Sequence, residues 1–148
     1  MPKQVQFRLT ENDPNITADA TFGTTWRDTW KFRCPQHMKV VLQPGDLFSA
    51  HIQEASAGGE VAAPDALVKI EVRDPSEQRI ELAYGPDNYL SSNNFQQYSY
   101  RRKLRLEHPI VVNPRDWIVV ATKDDVGLDT ASIANSYFEL VTTKVIED

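Results

Sequence analysis

A hairpin signature runs from residue 66 to residue 82, with the sequence ALVKIEVRDPSEQRIEL. Apolar side chains occupy every second position before Asp74, which is typical of a strand with one buried face. The segment Asp74-Pro75-Ser76-Glu77 then favours a turn, because proline presets one backbone dihedral and aspartate hydrogen-bonds to the nearby backbone. Apolar positions resume at Ile80 and Leu82. The stretch therefore predicts two antiparallel strands joined by a tight turn.

The composition extends this β pattern to the whole chain. Val, Ile and Thr contribute 13, 8 and 10 residues, 31 of the 148, and their branched side chains favour strands over helices. Nine prolines interrupt the chain at intervals of strand length, which excludes long helices because proline lacks an amide donor. The segments between them predict eight to ten strands. We therefore predict an all-β fold, an antiparallel β-sandwich of the jelly-roll type with an extended N-terminal arm.

The strand that ends at Cys34 has the clearest pattern in the first part of the chain. Trp26, Trp30, Phe32 and Cys34 share one parity, and only Asp28 interrupts the apolar side. This pattern favours packing of both tryptophans in the core. Exposed rings at the same positions, or the segment 84–95 with its aromatic and amide side chains, would instead offer a binding surface for sugars. A carbohydrate-binding β-sandwich module is therefore the alternative function.

A second turn is predicted at Pro44-Gly45-Asp46, between the apolar segments 38–43 and 47–53. Proline followed by glycine suits a tight connection, because glycine tolerates positive φ. We predict that the chain reverses direction here.

The length of 148 residues and the mass of 16.8 kDa fit one ordinary domain. A polar break at residues 11–15 follows an isolated apolar strand that contains Val5, Phe7 and Leu9. We therefore divide the chain into residues 1–20, an N-terminal arm with the first strand, and residues 21–148, the β-sandwich domain. The arm is expected to dock on another subunit, so deletion of residues 1–12 should weaken assembly and leave the domain folded.

Charge and composition exclude several classes of protein. The net charge of −5, from 16 Lys plus Arg against 21 Asp plus Glu, argues against direct nucleic-acid binding. The longest apolar run, Trp117–Ala121, is far shorter than the roughly 20 residues that cross a bilayer. The start of the chain predicts no export signal. The single cysteine, Cys34, excludes an intrachain disulfide.

The titratable residues show no catalytic signature. His37, His51 and His108 lack the spacing of a jelly-roll metal centre. We interpret Cys34 as a small buried thiol rather than a nucleophile. Three carboxylates considered for an enzyme have no supporting spacing; they are Glu71, Asp87 and Asp124. We predict a protein that is not an enzyme and holds no cofactor.

An acidic loop is a candidate binding site for a cation. Asp124, Asp125 and Asp129 lie close to Gly127 between two predicted strands, and their oxygens suit a hard cation such as Ca²⁺. The spacing is not that of an EF-hand. We favour a solvated loop without a metal.

Two polar segments with aromatic residues are candidates for recognition. Residues 84–95 combine aromatic rings with several amides, a composition that suits protein contacts. Residues 98–105 interleave tyrosines with cations, which could meet an acidic surface or simply face water. With the first strand, they supply the predicted partner-binding residues Val5, Phe7, Leu9, Tyr89, Phe95, Tyr98, Tyr100, Arg101 and Arg102.

In architecture, the chain resembles the β-sandwich or jelly-roll decoration (cement) proteins of tailed-bacteriophage capsids. The features that carry the resemblance are the strand Val5–Leu9, the turn at residues 44–46 and the long closing strand 136–146. The resemblance implies a homo-oligomer, commonly a trimer, that clamps major capsid or other virion proteins. It further implies a protein of the virion, made in the host cytoplasm. An N-terminal strand could then pair with the exposed sheet edge of a neighbour.

Overall fold

The structure is a computed structural model that describes residues 3–19, 25–51, 53–56, 59–62, 66–78, 80–82, 90–91, 102–104, 106–124, 130–131 and 136–146. In chain order the strands are β1 (Lys3–Thr10), β2 (Ile16–Ala18), β3 (Arg27–Arg33), β4 (Met38–Leu42), β5 (Leu47–His51), β6 (Gln53–Ser56), β7 (Gly59–Ala62), β8 (Ala66–Arg73), β9 (Ile80–Leu82), β10 (Leu90–Ser91), β11 (Arg102–Lys103), β12 (Ile110–Val112), β13 (Trp117–Asp124), β14 (Thr130–Ala131) and β15 (Tyr137–Ile146). All their pairings are antiparallel. The predicted all-β class is confirmed. The described residues form no helix that could span a membrane.

Sheet A is built around the long strand β15. Along one edge, β15 pairs with β1, and along the other it pairs first with β5 and then with β4. β12 pairs with β4, and β11 pairs with β5. Sheet A therefore has β1 at one side and the short strands β11 and β12 at the other.

Sheet B is centred on β13, which pairs with β3 on one side and β8 on the other. β2 extends the sheet beyond β3, while β9 and β10 pair with successive parts of β8. A small sheet C consists of β14, β6 and β7.

The predicted hairpin between β8 and β9 is confirmed. The strands pair from Glu71 opposite Leu82 to Arg73 opposite Ile80. The Glu77 amide donates to the Asp74 carbonyl at 2.9 Å, and Glu77 adopts a φ of 60°, in the left-handed region. The turn residues named from the sequence therefore close the hairpin.

The predicted reversal at Pro44-Gly45-Asp46 is wrong. β4 and β5 both run antiparallel to β15, so they run in the same direction along one of its edges. Val41 lies opposite Thr143, and Leu47 lies opposite Val141. Five residues therefore separate Val41 from Leu47, where β15 has only one residue, Thr142. The turn is thus a loop between β4 and β5, which continue in the same direction along one edge of β15. The Thr142 hydroxyl, 2.5 Å from Asp46 Oδ2, ties it to β15.

The same turn chemistry occurs a second time, between β12 and β13. In Gln43–Asp46 the Asp46 amide donates to the Gln43 carbonyl, and the Gln43 amide donates to the Asp46 carboxylate, at 3.0 and 2.8 Å. Asn113–Asp116 repeats both bonds at 3.0 and 2.9 Å. The third residue of each turn has positive φ, 92° at Gly45 and 75° at Arg115. Two stretches of otherwise different sequence therefore form equivalent turns.

The core lies between sheets A and B and is almost entirely apolar. Across the two sheets, the Trp30 and Phe138 rings are 5.1 Å apart between centroids, and those of Phe7 and Phe32 are 5.9 Å apart. The buried core residues are Phe7, Leu9, Trp30, Phe32, Cys34, Val40, Leu42, Phe48, Ala50, Val68, Ile70, Val72, Leu104, Ile110, Val112, Ile118, Val120, Phe138 and Leu140. Burial of this apolar surface is the main source of stability.

A β-bulge in β3 separates the two tryptophans of the early strand. The register with β13 shifts between Val120 and Ala121, which turns the preceding residues of β3 to the opposite face. Trp30 is 1% exposed and lies in the core, as predicted, whereas Trp26 is half-exposed against Lys69. The prediction of core packing was therefore wrong for Trp26. The bulge also explains why the charged Asp28 does not interrupt the apolar face.

The N-terminal strand is part of the sandwich in this structure. β1 pairs with β15 over all eight of its residues, from Lys3 opposite Ile146 to Thr10 opposite Glu139. Phe7 and Leu9 are buried in the chain's own core. Removal of residues 1–12, first expected to leave the domain folded, would therefore remove two core side chains.

Candidate interaction surfaces

The outer face of sheet B carries a connected set of charged residues that we call the charged face. Its members are Asp28, Lys31, Lys69, Glu71, Arg73 and Glu77, flanked by Trp26 and Trp117. It holds three cations and three anions, so its formal charges balance. The central strand supplies Val119 and Ala121 to this face, and both are completely buried. Long charged side chains can cover apolar surface with their stems while the head groups meet one another.

Arg73 is the centre of the charged face. Its guanidinium contacts Asp28 through two nitrogens, at 2.7 and 3.0 Å, and Glu71 Oε2 at 2.6 and 2.8 Å. It also reaches Glu77 Oε1 at 3.0 Å. The side chain of Arg73 is 13% exposed and that of Glu71 is 6% exposed. Charge-assisted bonds of this geometry are stronger than neutral ones and orient every partner.

Two lysines complete the network. Lys69 Nζ lies 2.7 Å from Glu71 Oε1, and Lys31 Nζ lies 2.7 Å from Glu77 Oε1. Each also lies over an indole ring: Lys31 is 4.4 Å from the Trp117 centroid, and Lys69 is 4.5 Å from that of Trp26. Cation–π contacts hold both ammonium groups close to the sheet.

These contacts keep two of the acidic groups, Asp28 and Glu77, ionised. The hydrogen bond from Arg73 lowers the pKa of Asp28 below its ordinary 3.8, against the opposing effect of burial. The hydrogen bond from Lys31 lowers the pKa of Glu77 below 4.5. Burial alone would lower the pKa of Arg73, but its bonds to the three carboxylates raise it. The charged face is therefore an internally paired surface in which Asp28 and Glu77 stay ionised near neutral pH.

Among the described residues, the outer face of sheet A is less polar. Val41 lies between Thr143 and Val111 in the sheet register, and Val141 lies opposite Leu47. Val111 is 45% exposed. At one end of this face, the exposed Tyr137 ring stacks on His51 at 5.1 Å. This surface is a second candidate for contact with another protein.

The free edge of β1 is a third candidate surface. Lys3, Gln4, Gln6 and Arg8 are exposed along it. Arg8 is bound to Glu139 of the neighbouring strand, with 2.5 Å between Nη2 and Oε2. Within the described ranges, no strand pairs with the edge of β1 that faces away from β15.

The structure describes four of the nine predicted partner-binding residues. Val5, Phe7 and Leu9 lie on the inner side of β1, with Val5 half-buried and the other two buried. Arg102 is placed as a backbone position in β11. The remaining five lie outside the described residues: Tyr89, Phe95, Tyr98, Tyr100 and Arg101.

The residues considered for chemistry do not come together. His37 and His108 are exposed in separate turns, and His51 stacks on Tyr137. Cys34 is buried, and burial, with a further contribution from Asp116, raises the pKa of its thiol to about 11. Among the described residues, no group of three or more potential ligands could hold a metal ion.

The acidic candidates are only partly described. Glu71 is bound to Arg73 and Lys69 and is not a free base. Asp124 is placed only as a backbone position in β13, and Asp87, Asp125 and Asp129 lie outside the described residues. The solvated acidic loop without a metal therefore stays a prediction.

Sequence reasoning missed the charged face. The spacing Lys69-x-Glu71-x-Arg73 places three charges on one face of a strand, and this signal was available. The contributions of Asp28 and Glu77 depend on a bulge, a turn and the order of strands across sheet B. Those features do not follow from local pattern.

Comparison with known proteins finds similar structures but no similar sequence. The sequence matches no protein-family pattern and no characterised protein sequence. The fold is similar to that of VP17, a capsid protein of bacteriophage P23-77, with a TM-score of 0.65 and 4% identity over 97% of this chain and 96% of that one. A chain in the VP16–VP17 complex of the two major capsid proteins of the same phage gives a TM-score of 0.63 and 4% identity, covering 96% and 98%.

A third similarity carries no argument. A family two carbohydrate esterase from Cellvibrio japonicus aligns with a TM-score of 0.29 and 9% identity, over 99% of this chain and 35% of that one.

Identities of a few per cent speak to fold alone. The chain therefore shares its antiparallel, jelly-roll-type fold with a bacteriophage capsid protein over nearly the full length of both.

Proposed function

We propose that this protein is a structural component of a virus particle, where it joins neighbouring subunits of the shell. The observation that carries the proposal is the likeness to the capsid protein VP17, which extends over 97% of this chain and 96% of that one. At 4% identity the likeness is one of fold, so the role in a virus particle is carried over from it by analogy.

The described surfaces suit a role in binding neighbours. The charged face is internally paired, and the outer face of sheet A exposes Val111 and Tyr137. Neither needs a cofactor to act as a contact. A protein repeated many times in a shell can use weak contacts, because multivalent attachment multiplies their effect.

The finer role is decoration of a shell built by another protein. In the VP16–VP17 complex the two proteins are described as major capsid proteins, so a shell-forming role is the competing version of the proposal. In that role a trimer would form on the surface of the shell, separately from any pairing of free chains in solution. The proposal includes a location in the virion, synthesis in the host cytoplasm, and no enzymatic activity.

Trp30 no longer supports the carbohydrate-binding alternative, because its ring is buried in the core. The Lys69 ammonium lies over one face of the Trp26 ring, where a sugar would otherwise stack. The segment 84–95, which also motivated that alternative, lies outside the described residues except for Leu90 and Ser91. No specific observation now favours sugar binding.

Purified virus particles from the source of this protein provide the test. We expect the chain to co-sediment with the particles at a constant ratio to the main shell protein. Mild urea that leaves shells intact should release a decoration protein, whereas a shell-forming subunit should leave only when the shell falls apart. Absence from the particles, or a ratio that varies between preparations, would contradict the virion role.

A further inference from the structure

The edge strands of this protein differ sharply in length. Apart from β1, the outer strands of the described sheets have two to four residues: β2, β7, β9, β10, β11, β12 and β14. Proline flanks β12 on both sides, at Pro109 and Pro114. Short edges and flanking prolines are common ways to prevent unwanted strand pairing. The protein therefore protects most of its described edges.

Within the part of the chain that the structure describes, β1 lacks this protection. It has eight residues, pairs with β15 without a register shift, and contains neither proline nor a bulge. Its inward side chains are apolar, and its one mid-strand cation, Arg8, is neutralised by Glu139. An exposed edge with these properties is a template for another strand.

We propose that the free edge of β1 pairs with β1 of a second copy of this chain, antiparallel about a two-fold axis. Such a contact is self-complementary and closes with two copies. It would join the two copies of sheet A into one continuous sheet. The inference does not depend on the role in a virus particle.

The sequence of β1 suits pairing with itself. The apolar residues of both copies stay on the same side of the joined sheet only if the axis passes through a residue, because side chains alternate along a strand. An axis at Gln6 places Val5 opposite Phe7 and Gln4 opposite Arg8 of the second copy. An axis at Phe7 places Val5 opposite Leu9 and Gln6 opposite Arg8. Neither register opposes two cations.

Positive charge added along β1 tests whether two copies pair through this strand. Gln4 and Gln6 are exposed, so the double variant Gln4→Lys/Gln6→Lys adds two cations without disturbing the core. Like charges meet in either register and weaken pairing. Gln36→Lys/Gln78→Lys makes the same change of charge at exposed residues in two turns and serves as the matched control.

Sedimentation velocity of the full chain gives the readout. We expect a dimer for the wild type and the control, and at least a tenfold higher dissociation constant for Gln4→Lys/Gln6→Lys. Because dimer formation itself raises the melting temperature, melting temperatures are compared at a concentration at which both proteins are monomers, where they should be equal. A wild type that is monomeric at all concentrations would overturn the proposal. So would an oligomer of any size that the edge lysines leave unchanged.

Disulfide crosslinking tests the register. Gln6→Cys should crosslink to itself if the axis passes through Gln6, since directly opposed residues lie within reach of a disulfide. A mixture of Gln6→Cys and Arg8→Cys chains should crosslink if the axis passes through Phe7. Failure of both to crosslink under oxidation would overturn the pairing.

Discussion

The guanidinium of Arg73 and the carboxylate of Asp28 form a two-point ion pair across sheet B, with N–O distances of 2.7 and 3.0 Å. The two residues belong to β8 and β3, which are separated by β13. The pair therefore connects strands that share no backbone hydrogen bonds. Glu71 contacts the same guanidinium and is 6% exposed, so removal of Arg73 would leave a buried charge with less compensation.

Arg73→Met should destabilise the protein by about 3 kcal/mol, because breaking a buried ion pair leaves the partner charge poorly solvated. Methionine retains most of the apolar stem. Arg27→Met, at an exposed position of β3, is the control and should change the free energy of unfolding by less than about 0.5 kcal/mol. Urea denaturation measures both. Similar losses from the two variants would show that the charged face contributes no special stability.

The lowered pKa of Asp28 predicts a specific acid sensitivity. A carboxyl group whose pKa is lower in the folded state than in the unfolded state stabilises the fold above its unfolded pKa, here near 3.8. That contribution is lost as the pH falls through the lower, folded value. Glu77 adds an effect of the same sign, from an ordinary value of 4.5. Stability should therefore decline as the pH falls below about 5.

The variant Asp28→Asn isolates the contribution of Asp28 to this decline. We expect it to be less stable than the wild type at neutral pH, and the difference between their melting temperatures should shrink toward about pH 3. Calorimetry over this range provides the measurement. A difference that stays constant with pH would show that Asp28 does not contribute through its charge.

The two equivalent turns predict opposite effects of glycine. Gly45→Ala should cost about 1 kcal/mol, because a side chain disfavours the φ of 92°, although nothing lies within 4 Å of the added carbon. Arg115→Gly should be neutral or stabilise by up to about 1 kcal/mol, since it relieves the φ of 75°. Thermal unfolding of both variants tests this. If Arg115→Gly destabilised the protein by more than about 1 kcal/mol, the Arg115 side chain would instead make a stabilising contact.

Cys34 should be unreactive in the folded protein. The thiol is 1% exposed, burial raises its pKa to about 11, and its Sγ lies 3.3 Å from the Met38 carbonyl oxygen. A chromogenic disulfide reagent at pH 8 should label it only after denaturant is added. Gln36→Cys, on an exposed turn, should give one immediately reactive thiol as a control. Equal rates at the two positions would contradict the burial of Cys34.

The β8–β9 hairpin was predictable because all its signals are local. Alternation, a proline-containing turn and resumed alternation lie within 17 successive residues, and each depends only on neighbours in the chain. The turn at Pro44 shows the limit of such reasoning. Its residues correctly indicate a tight turn, but whether the chain reverses afterwards depends on β15, about 95 residues further along the chain.

The two early tryptophans show a second limit. Strict alternation places Trp26 and Trp30 on one face, and the bulge in β3 places them on different faces. The bulge occurs where the Thr29 and Thr122 hydroxyls lie 2.5 Å apart in the interior. The two tryptophans are therefore separated by the irregular pairing of β3 with β13, which no local pattern indicates.

The sequence by itself determined the all-β class, the β8–β9 hairpin and the buried parity of β1 and β8, because these depend on residue type and on spacing within a segment. Only the tertiary structure decided the course of the chain at Pro44, the pairing of β1 with β15 and the assembly of the charged face. Each of these depends on which distant strands become neighbours, and that choice is made by the packing of the whole core rather than by any local pattern.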